Sequence, residues 1–147
     1  MSKVIFNISM SLDGFVAGPN DEADRIHRWY ISGDTDLFGV FKVSSASAEL
    51  IQEASRTVGA MVTGRRNFDI SQAWNGNPPL GVHHFVVTHR IPQEWVKPGS
   101  PFTFVTDGVE SAIEKARAVA GDKNIGVDGA SIAQQAIKAG LVEEKGV

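Results

Sequence analysis

Two segments place basic residues directly after short apolar runs, and a third places glycines there. Their members are Gly64, Arg65 and Arg66; Thr88, His89 and Arg90; and Gly126 and Gly129. An anion site requires outward-pointing backbone N–H groups, positive charge and little side-chain bulk where the ligand touches the chain. The first segment supplies all three properties, the second supplies charge, and the third supplies backbone donors and space. Together they predict a site for the phosphate groups of a nucleotide.

Neither common glycine fingerprint for phosphate binding is present. The chain contains no Gly-x-x-x-x-Gly-Lys-Ser/Thr, and no Gly-x-Gly-x-x-Gly follows its first strand-like segment. Basic residues after a strand are commonly solvated turns, so each segment by itself is a weak signal. The prediction therefore depends on a fold that brings all three segments together.

Two carboxylates are candidates for acid–base chemistry. Asp13 lies in the turn-forming residues 11–20, where an aspartate commonly bonds its own backbone; the alternative is a polar group at a ligand pocket. Glu49 lies one helical turn before Glu53, and surface acids of this kind are usually solvated. No Ser–His–Asp, Cys–His or paired-carboxylate pattern stands out. A hydride-transfer enzyme would need little more, because its cofactor carries the reactive chemistry.

The composition limits the partners of the chain. With 14 basic and 17 acidic residues the net charge is −3, which argues against a general nucleic-acid or anionic-membrane surface and favours a small-molecule ligand. There is no cysteine, and the four histidines show no metal-site spacing, so we expect no metal. No leader and no membrane-length apolar run is found, so we expect a cytoplasmic protein. The length predicts a single domain over residues 1–147.

Apolar runs of strand length alternate with helical patterns along the chain. The strand-like segments are residues 4–10, 60–63, 84–88, 102–105 and 124–127, and the helical patterns are residues 44–56, those after 107 and those after 131. This alternation predicts a three-layer α/β/α fold with a mainly parallel sheet. Because the carboxyl ends of parallel strands line one crevice, the three segments should face the same ligand.

The helical patterns also predict which residues are buried. The stripe of the helix 44–56 is Ala46, Leu50, Ala54 and Val58, and that of the next helix is Val109, Ile113, Ala116 and Ala120. Asp107, with Glu110 three residues later, is the predicted N-cap of that second helix.

Residues 21–43 show no clean periodicity, which is typical of a long functional loop. Their aromatic residues Trp29, Phe38 and Phe41 would wall a planar ligand or, alternatively, form a small core of the loop itself.

Four motifs, in order along nearly the whole chain, resemble the dihydrofolate reductase-like superfamily. They are Ile8-Ser-Met-Ser-Leu-Asp-Gly-Phe-Val-Ala17, Val62-Thr-Gly-Arg-Arg-Asn-Phe68, Val86-Val-Thr-His-Arg90, and Gly126-Val-Asp-Gly-Ala-Ser131 with Ala139-Gly-Leu-Val-Glu143. The branch that they most resemble is the riboflavin-biosynthesis reductase, the C-terminal domain of the bifunctional deaminase-reductase. The resemblance implies a central sheet that binds NADPH across its strand ends.

The resemblance also implies a role for each motif residue. The residues implied to contact the cofactor are Thr63, Gly64 and Arg65 at its phosphates or ribose; Arg66, Thr88, His89 and Arg90 at the adenosine and its 2′-phosphate; and Gly126, Gly129, Ala130 and Ser131 at the pyrophosphate. Asp13 would border the nicotinamide and the substrate. Glu49 lies at about the place where dihydrofolate reductase has the carboxylate of the helix after its first loop, and is the second catalytic candidate.

Three positions depart from the riboflavin-pathway reductases. Asn7 stands where they have a lysine and Val127 where they have a glutamate, so charge is removed from the expected substrate side. These two changes disfavour the pathway substrate, a phosphoribosylamino-pyrimidine. Asp128 replaces the first glycine of the pyrophosphate turn, and a carboxylate beside a pyrophosphate is unfavourable unless it points away.

These observations predict an NADPH-dependent reductase that transfers hydride to a C=N or C=O group of a pteridine-, pyrimidine- or ribosylamine-like small molecule. The alternative is an NADP(H)-binding module without turnover, which the lost charges at positions 7 and 127 favour. A further strand should begin within residues 141–147, and the family continues beyond it with strands that complete the sheet. We therefore expect a fold that lacks the C-terminal strands, and a homo-oligomer or a complementing chain that covers the exposed edge.

Overall fold

The computed structural model describes residues 2–146, which form eight strands and four α-helices. The strands are β1 (Val4–Asn7), β2 (Thr35–Leu37), β3 (Phe41–Val43), β4 (Val58–Gly64), β5 (His83–Val87), β6 (Phe102–Val105), β7 (Asn124–Val127) and β8 (Glu144–Gly146). The helices are α1 (Ser45–Thr57), α2 (Arg65–Ile70), α3 (Val109–Ala120) and α4 (Ala130–Lys138). Backbone contacts divide the chain into two compact units. One contains the residues up to Ile8 together with Thr57–Gly146, and the other contains Ser9–Arg56.

The first unit is built on a six-stranded sheet with the order β6-β5-β4-β7-β1-β8. Every pair of neighbouring strands is parallel, as the alternation of strands and helices predicts. The central strands are β4 and β7, which carry two of the three segments predicted to bind phosphate. β8 forms where the sequence predicts a further strand, and it pairs with β1 from Ile5 to Asn7.

Helices cover both faces of this sheet. On one face α3 and α4 bury small and branched side chains against β4, β5 and β7. The residues of α3 that are buried there are Val109, Ala112, Ile113, Ala116 and Ala120, which confirms the predicted stripe. On the other face α2 and the turn after it pack an aromatic cluster against β5 and β6. The predicted three-layer arrangement is therefore observed.

The second unit contains an antiparallel hairpin and a helix. β2 and β3 form the hairpin, and Leu37, Val43 and Ala48 are its buried apolar residues. The prediction of an irregular loop over residues 21–43 missed this hairpin, because each strand has only three residues and one of them is charged and exposed.

The aromatic residues of residues 21–43 divide between two environments. Trp29 and Phe41 pack against the small core of the second unit, which agrees with the second of the two interpretations of the sequence. Phe38 is 60% exposed in the tight turn of the hairpin, where its φ of 56° is left-handed.

Two predictions of local detail are wrong. In α1 the buried residue is Ala48, whereas Leu50 is 57% exposed, because apolar residues occur on more than one face of this helix. The N-cap of α3 is Gly108 and not Asp107, and no side chain caps this helix. Asp107 instead hydrogen-bonds with Ser111 in the first turn, which lowers the pKa of its carboxyl group.

Candidate functional site

The three predicted segments meet at the carboxyl edge of the first unit's sheet, which we call the rim. β5, β4 and β7 are consecutive strands of this sheet and run in the same direction. Gly64 at the end of β4 is in register with Val87, which directly precedes Thr88. On the other side Val62 is in register with Val127, which directly precedes Asp128. The fold therefore brings together residues that are far apart in the sequence, such as Thr63 and Asp128, which are 65 residues apart.

Two glycines start the helices that leave the rim. Gly64 is the N-cap of α2 and Gly129 is the N-cap of α4, and neither helix start has a side-chain cap. Gly129 has a φ of +89°, and a Cβ atom on it would lie 3.8 Å from the backbone nitrogen of Gly64. A Cβ atom on Gly64 would lie only 3.0 Å from Cγ1 of Ile132 in α4. Gly129 is favoured by its left-handed backbone, and Gly64 by the close approach of Ile132.

A polar cluster of Thr63, Asn67 and Asp128 joins these two helix starts. Thr63 Oγ1 donates to Asp128 Oδ1 at 3.1 Å, and Asn67 Nδ2 donates to the same oxygen at 2.5 Å. Asn67 Nδ2 also donates to Thr63 Oγ1 at 3.0 Å, and Thr63 is fully buried. Asp128 is partly exposed as a residue, whereas its carboxyl group is buried. Burial raises the pKa of Asp128 to about 6, against the lowering effect of the bonds from Thr63 and Asn67.

The side chain of Arg65 connects the ends of β4 and β5. Its Nε donates to Asp69 at 2.8 Å, and one terminal nitrogen donates to the carbonyl oxygen of Arg90 at 2.6 Å and to Thr88 Oγ1 at 3.3 Å. Thr88 Oγ1 donates to the same carbonyl at 2.8 Å. Arg65 is thus engaged with the protein itself and fixes the turn that carries His89 and Arg90.

The remaining basic residues of the rim are exposed to solvent. His89 and Arg90 follow β5, Arg66 lies in α2, and all three are exposed. The other two predicted pyrophosphate contacts, Ala130 and Ser131, form the first turn of α4, where Ser131 accepts a bond from Gln135 at 3.3 Å.

Gly126 does not lie at the turn. It is a buried residue inside β7, paired with Ile5 on one side and Met61 on the other. A Cβ atom on Gly126 would lie 2.3 Å from the sulfur of Met61, so packing between β7 and β4 accounts for this glycine.

Both catalytic candidates, Asp13 and Glu49, are exposed residues of the second unit. Asp13 Oδ1 accepts a bond from Ser11 Oγ at 2.6 Å, and Ser11 Oγ accepts one from the backbone N–H of Phe15 at 2.9 Å. Asp13 therefore belongs to a locally bonded turn, close to the first interpretation of its sequence context. Glu49 lies in the second turn of α1.

An open groove in the second unit is formed by residues 24–31, which include the 3-10 turn Arg28–Tyr30, and by the hairpin. The residues that line it are Asp24, His27, Arg28, Tyr30, Ile31, Val40 and Phe41. Partial burial lowers the pKa of His27, and Asp24 acts in the opposite direction. The groove is apolar at Ile31 and Val40, which are 70% and 72% exposed.

The pattern of glycines and basic residues in the sequence does not indicate two features of the first unit. Asn67 carries no charge, and its importance is visible only from its bonds to Thr63 and Asp128. The one signal in the sequence is its spacing of four residues from Thr63. His84 is completely buried in β5 and its Nε2 atom has no hydrogen-bond partner.

The residues that the structure describes contain neither a metal cluster nor a membrane span. No three His, Asp or Glu side chains within residues 2–146 are grouped to hold a metal ion. No helix among the same residues has the length and apolar character needed to cross a bilayer.

Comparison with known proteins supports the fold. No family model and no curated protein sequence matches the chain. Among solved structures, the chain is similar to a proposed riboflavin biosynthesis protein from Shewanella sp. PV-4, with a TM-score of 0.67 and 22% sequence identity. The match covers 99% of this chain and 74% of the Shewanella chain. The protein is thus an α/β protein with a mainly parallel six-stranded sheet, as the sequence predicts, and at this identity the similarity concerns the fold alone.

Proposed function

We propose that the protein is an NADPH-dependent reductase that transfers hydride to a C=N or C=O group of a pteridine-, pyrimidine- or ribosylamine-like small molecule. The observation that carries this proposal is the meeting of three strand ends, two uncapped helix starts and exposed cations at one rim. The similarity of fold to a proposed riboflavin biosynthesis protein supports a reductase-like role.

The residues of the rim fit a dinucleotide phosphate in two respects. The starts of α2 and α4 leave backbone N–H groups without side-chain caps, and Gly64 and Gly129 keep side-chain bulk away from them. Exposed Arg90, with His89 beside it, supplies positive charge for a terminal phosphate, which favours NADPH over NADH. NADPH, when bound, would supply the hydride.

The residues of the rim would bind the cofactor and orient it. Gly129, Ala130 and Ser131 would hold the pyrophosphate through the start of α4, and Thr63 and Gly64 would border the ribose. Arg65 fixes the turn after β5 through the carbonyl of Arg90, so His89 and Arg90 are presented from a defined position. This role for Arg65 replaces part of the direct phosphate contact that the sequence suggested, because three of its bonds go to protein groups.

Binding of the cofactor can be tested by thermal unfolding with NADPH and with NADH. We expect NADPH at a hundred times its Kd to stabilise the protein by about 2.7 kcal/mol, and NADH to stabilise it less at the same concentration. His89→Ala together with Arg90→Ala should reduce the difference between the two cofactors. Lys138→Ala, at the far end of α4, is the matched control for loss of a cation. Equal stabilisation of the protein by both cofactors would contradict the assignment of the 2′-phosphate.

A second candidate function is an NADP(H)-binding module without turnover. The observation that favours it is the exposure of both Asp13 and Glu49, since a proton donor usually needs burial for its pKa to suit proton transfer. The two functions differ in one measurement, the loss of nicotinamide absorbance after a dihydropteridine, pyrimidine or flavin-like acceptor is added. Only the reductase oxidises NADPH under these conditions, and Asp13→Asn should then reduce its rate more than Asp34→Asn, a matched exposed acid of the same unit.

A further inference from the structure

Asp128 places a carboxylate at the start of α4. It directly precedes Gly129, the N-cap of that helix, and therefore lies within one residue of the first backbone N–H groups that an anion would use. Its own backbone N–H donates to the carbonyl of Val62 at 3.0 Å, which fixes the residue against the end of β4.

The carboxylate is also fixed, so it cannot turn away from an anion without loss of two hydrogen bonds. Thr63 Oγ1 and Asn67 Nδ2 both donate to its Oδ1, and these two donors are themselves bonded to each other. Thr63 is fully buried and Asn67 lies in the first turn of α2, so neither donor is free to follow a moving carboxylate.

Within residues 2–146, the side chains that hydrogen-bond with the Asp128 carboxyl group are those of Thr63 and Asn67. Both bonding partners of its Oδ1 are neutral. The strands β1, β4 and β7 contain no ionisable residue, and the first turn of α4 contains none. The ionisable residues of α2 are Arg65, Arg66 and Asp69, of which Arg65 and Asp69 pair with each other. The raised pKa of the Asp128 carboxyl group, about 6, agrees with this arrangement.

We propose that Asp128 is the residue that sets the affinity of the rim for a dinucleotide, because a pyrophosphate at the start of α4 binds together with one proton on this carboxyl group. The inference rests on the proposed cofactor. The proton comes from solvent, converts the carboxylate to a carboxylic acid, and leaves Oδ1 able to keep its bond from Asn67. Binding is therefore tighter in mildly acidic solution and weaker in alkaline solution.

The test is the Kd of NADP⁺, measured by calorimetry between pH 5.5 and pH 8 for the wild type and Asp128→Asn. For the wild type we expect Kd to rise by up to about tenfold per pH unit above the pKa of the free carboxyl group, with proton uptake visible in buffers of different ionisation enthalpy. Asp128→Asn should lose this dependence and bind more tightly than the wild type at pH 8. The titration of the cofactor's own 2′-phosphate is common to both proteins and cancels in the comparison.

Two controls keep the result specific. Asp122→Asn removes an exposed acid of the turn after α3 and should bind as the wild type does. Asp128→Ser repeats the test with a smaller neutral side chain if the asparagine variant does not fold. A readout independent of affinity is the ¹³C resonance of the Asp128 carboxyl group, whose titration midpoint should rise when NADP⁺ is added.

The outcomes separate this inference from the proposed function. If the wild type binds NADP⁺ and Asp128→Asn has the same pH profile and the same affinity, the inference is overturned and the cofactor assignment stands. If no variant binds NADP⁺ or NADPH at any pH, the cofactor assignment fails and this inference fails with it.

Discussion

Two regions of the first unit bury an ionisable side chain, and they surround it with opposite kinds of neighbours. At the rim, the Asp128 carboxyl group accepts bonds from Thr63 and Asn67. In β5, His84 lies among aromatic rings, with Trp74 at 5.3 Å and Phe102 at 6.4 Å between ring centroids. His84 Nδ1 bonds the carbonyl of Val82 at 2.9 Å, but its Nε2 has no partner.

Burial acts on the two groups in opposite directions, since in each case it disfavours the charged form. It raises the pKa of Asp128 from 3.8 to about 6 and lowers the pKa of His84 from 6.5 to about 4. Between pH 4 and pH 6 the folded protein holds a proton on Asp128 that the unfolded chain lacks, and lacks one on His84 that the unfolded chain holds. The contribution of Asp128 to stability is therefore lost as the pH rises, and that of His84 is lost as the pH falls. Over this range the two contributions oppose each other.

The largest effect is expected from removal of a ring in the aromatic region. Phe102 is 5% exposed and its ring packs edge-on against Phe68 at 5.0 Å. Phe102→Ala should lower the free energy of unfolding by about 3–5 kcal/mol, because it leaves a cavity in a region without polar bonds to compensate. Urea unfolding measures this. Phe15→Ala, at a position 65% exposed, is the control and should cost less than about 0.5 kcal/mol; equal costs for the two variants would mean that the cluster does not stabilise the fold.

The next effect is the pH dependence of stability that His84 introduces. In the wild type, its contribution to the free energy of unfolding should fall by roughly 3 kcal/mol in total as the pH decreases from 6.5 to about 4. His84→Asn keeps an N–H group that can reach the carbonyl of Val82 but does not titrate, so this part of the slope should vanish. Unfolding in urea at a series of pH values tests it, with exposed His89→Asn as the control. An unchanged slope in His84→Asn would show that His84 is not buried in its neutral form.

Asp128→Asn should also change the dependence of the free energy of unfolding on pH, in the direction opposite to His84→Asn. Removal of a buried carboxylate should stabilise the protein above pH 6 relative to the wild type, by at most roughly 3 kcal/mol, and abolish the gain in stability that the wild type derives from Asp128 on acidification. The loss of stability due to His84 is then no longer opposed, so the variant should unfold more steeply with acid. If the variant and the wild type have parallel curves from pH 4 to pH 7, the rim does not bury the charge of Asp128.

The smallest effect concerns the backbone of the two regions. The rim has a glycine at its left-handed position, Gly129, whereas the turn that carries Trp74 has four consecutive non-glycine residues with φ near +50°, residues 72–75. Gln72→Gly should relieve about 1 kcal/mol of this strain, offset in part by the greater freedom of glycine in the unfolded chain. Gln134→Gly, at an exposed position of α4, should instead destabilise by about 1 kcal/mol. Destabilisation by both changes would show that the turn is not strained.

Much of the fold could be predicted from the sequence because its signals are local. The apolar runs, their alternation with helical patterns, and the stripe of α3 each lie within a few residues of one another. The rule that crossover connections make parallel strands then suffices to bring Gly64, Thr88 and Gly129 to one edge. The hairpin of the second unit escaped prediction because strands of three residues, interrupted by charges, have no detectable period.

The sequence by itself determined the class of fold and which glycines and basic residues follow the strands at the rim, because these features depend on residue type and short spacing. Only the tertiary structure decided what those residues contact. Thr63 and Asp128 are 65 residues apart, Arg65 and the Arg90 carbonyl are 25 apart, and both pairs come together through the order of strands in the sheet. The need for a glycine at position 126 likewise comes from the side chain of Met61 in a neighbouring strand. Charge, burial and hydrogen bonding at such positions depend on neighbours in space, and a single sequence does not record them.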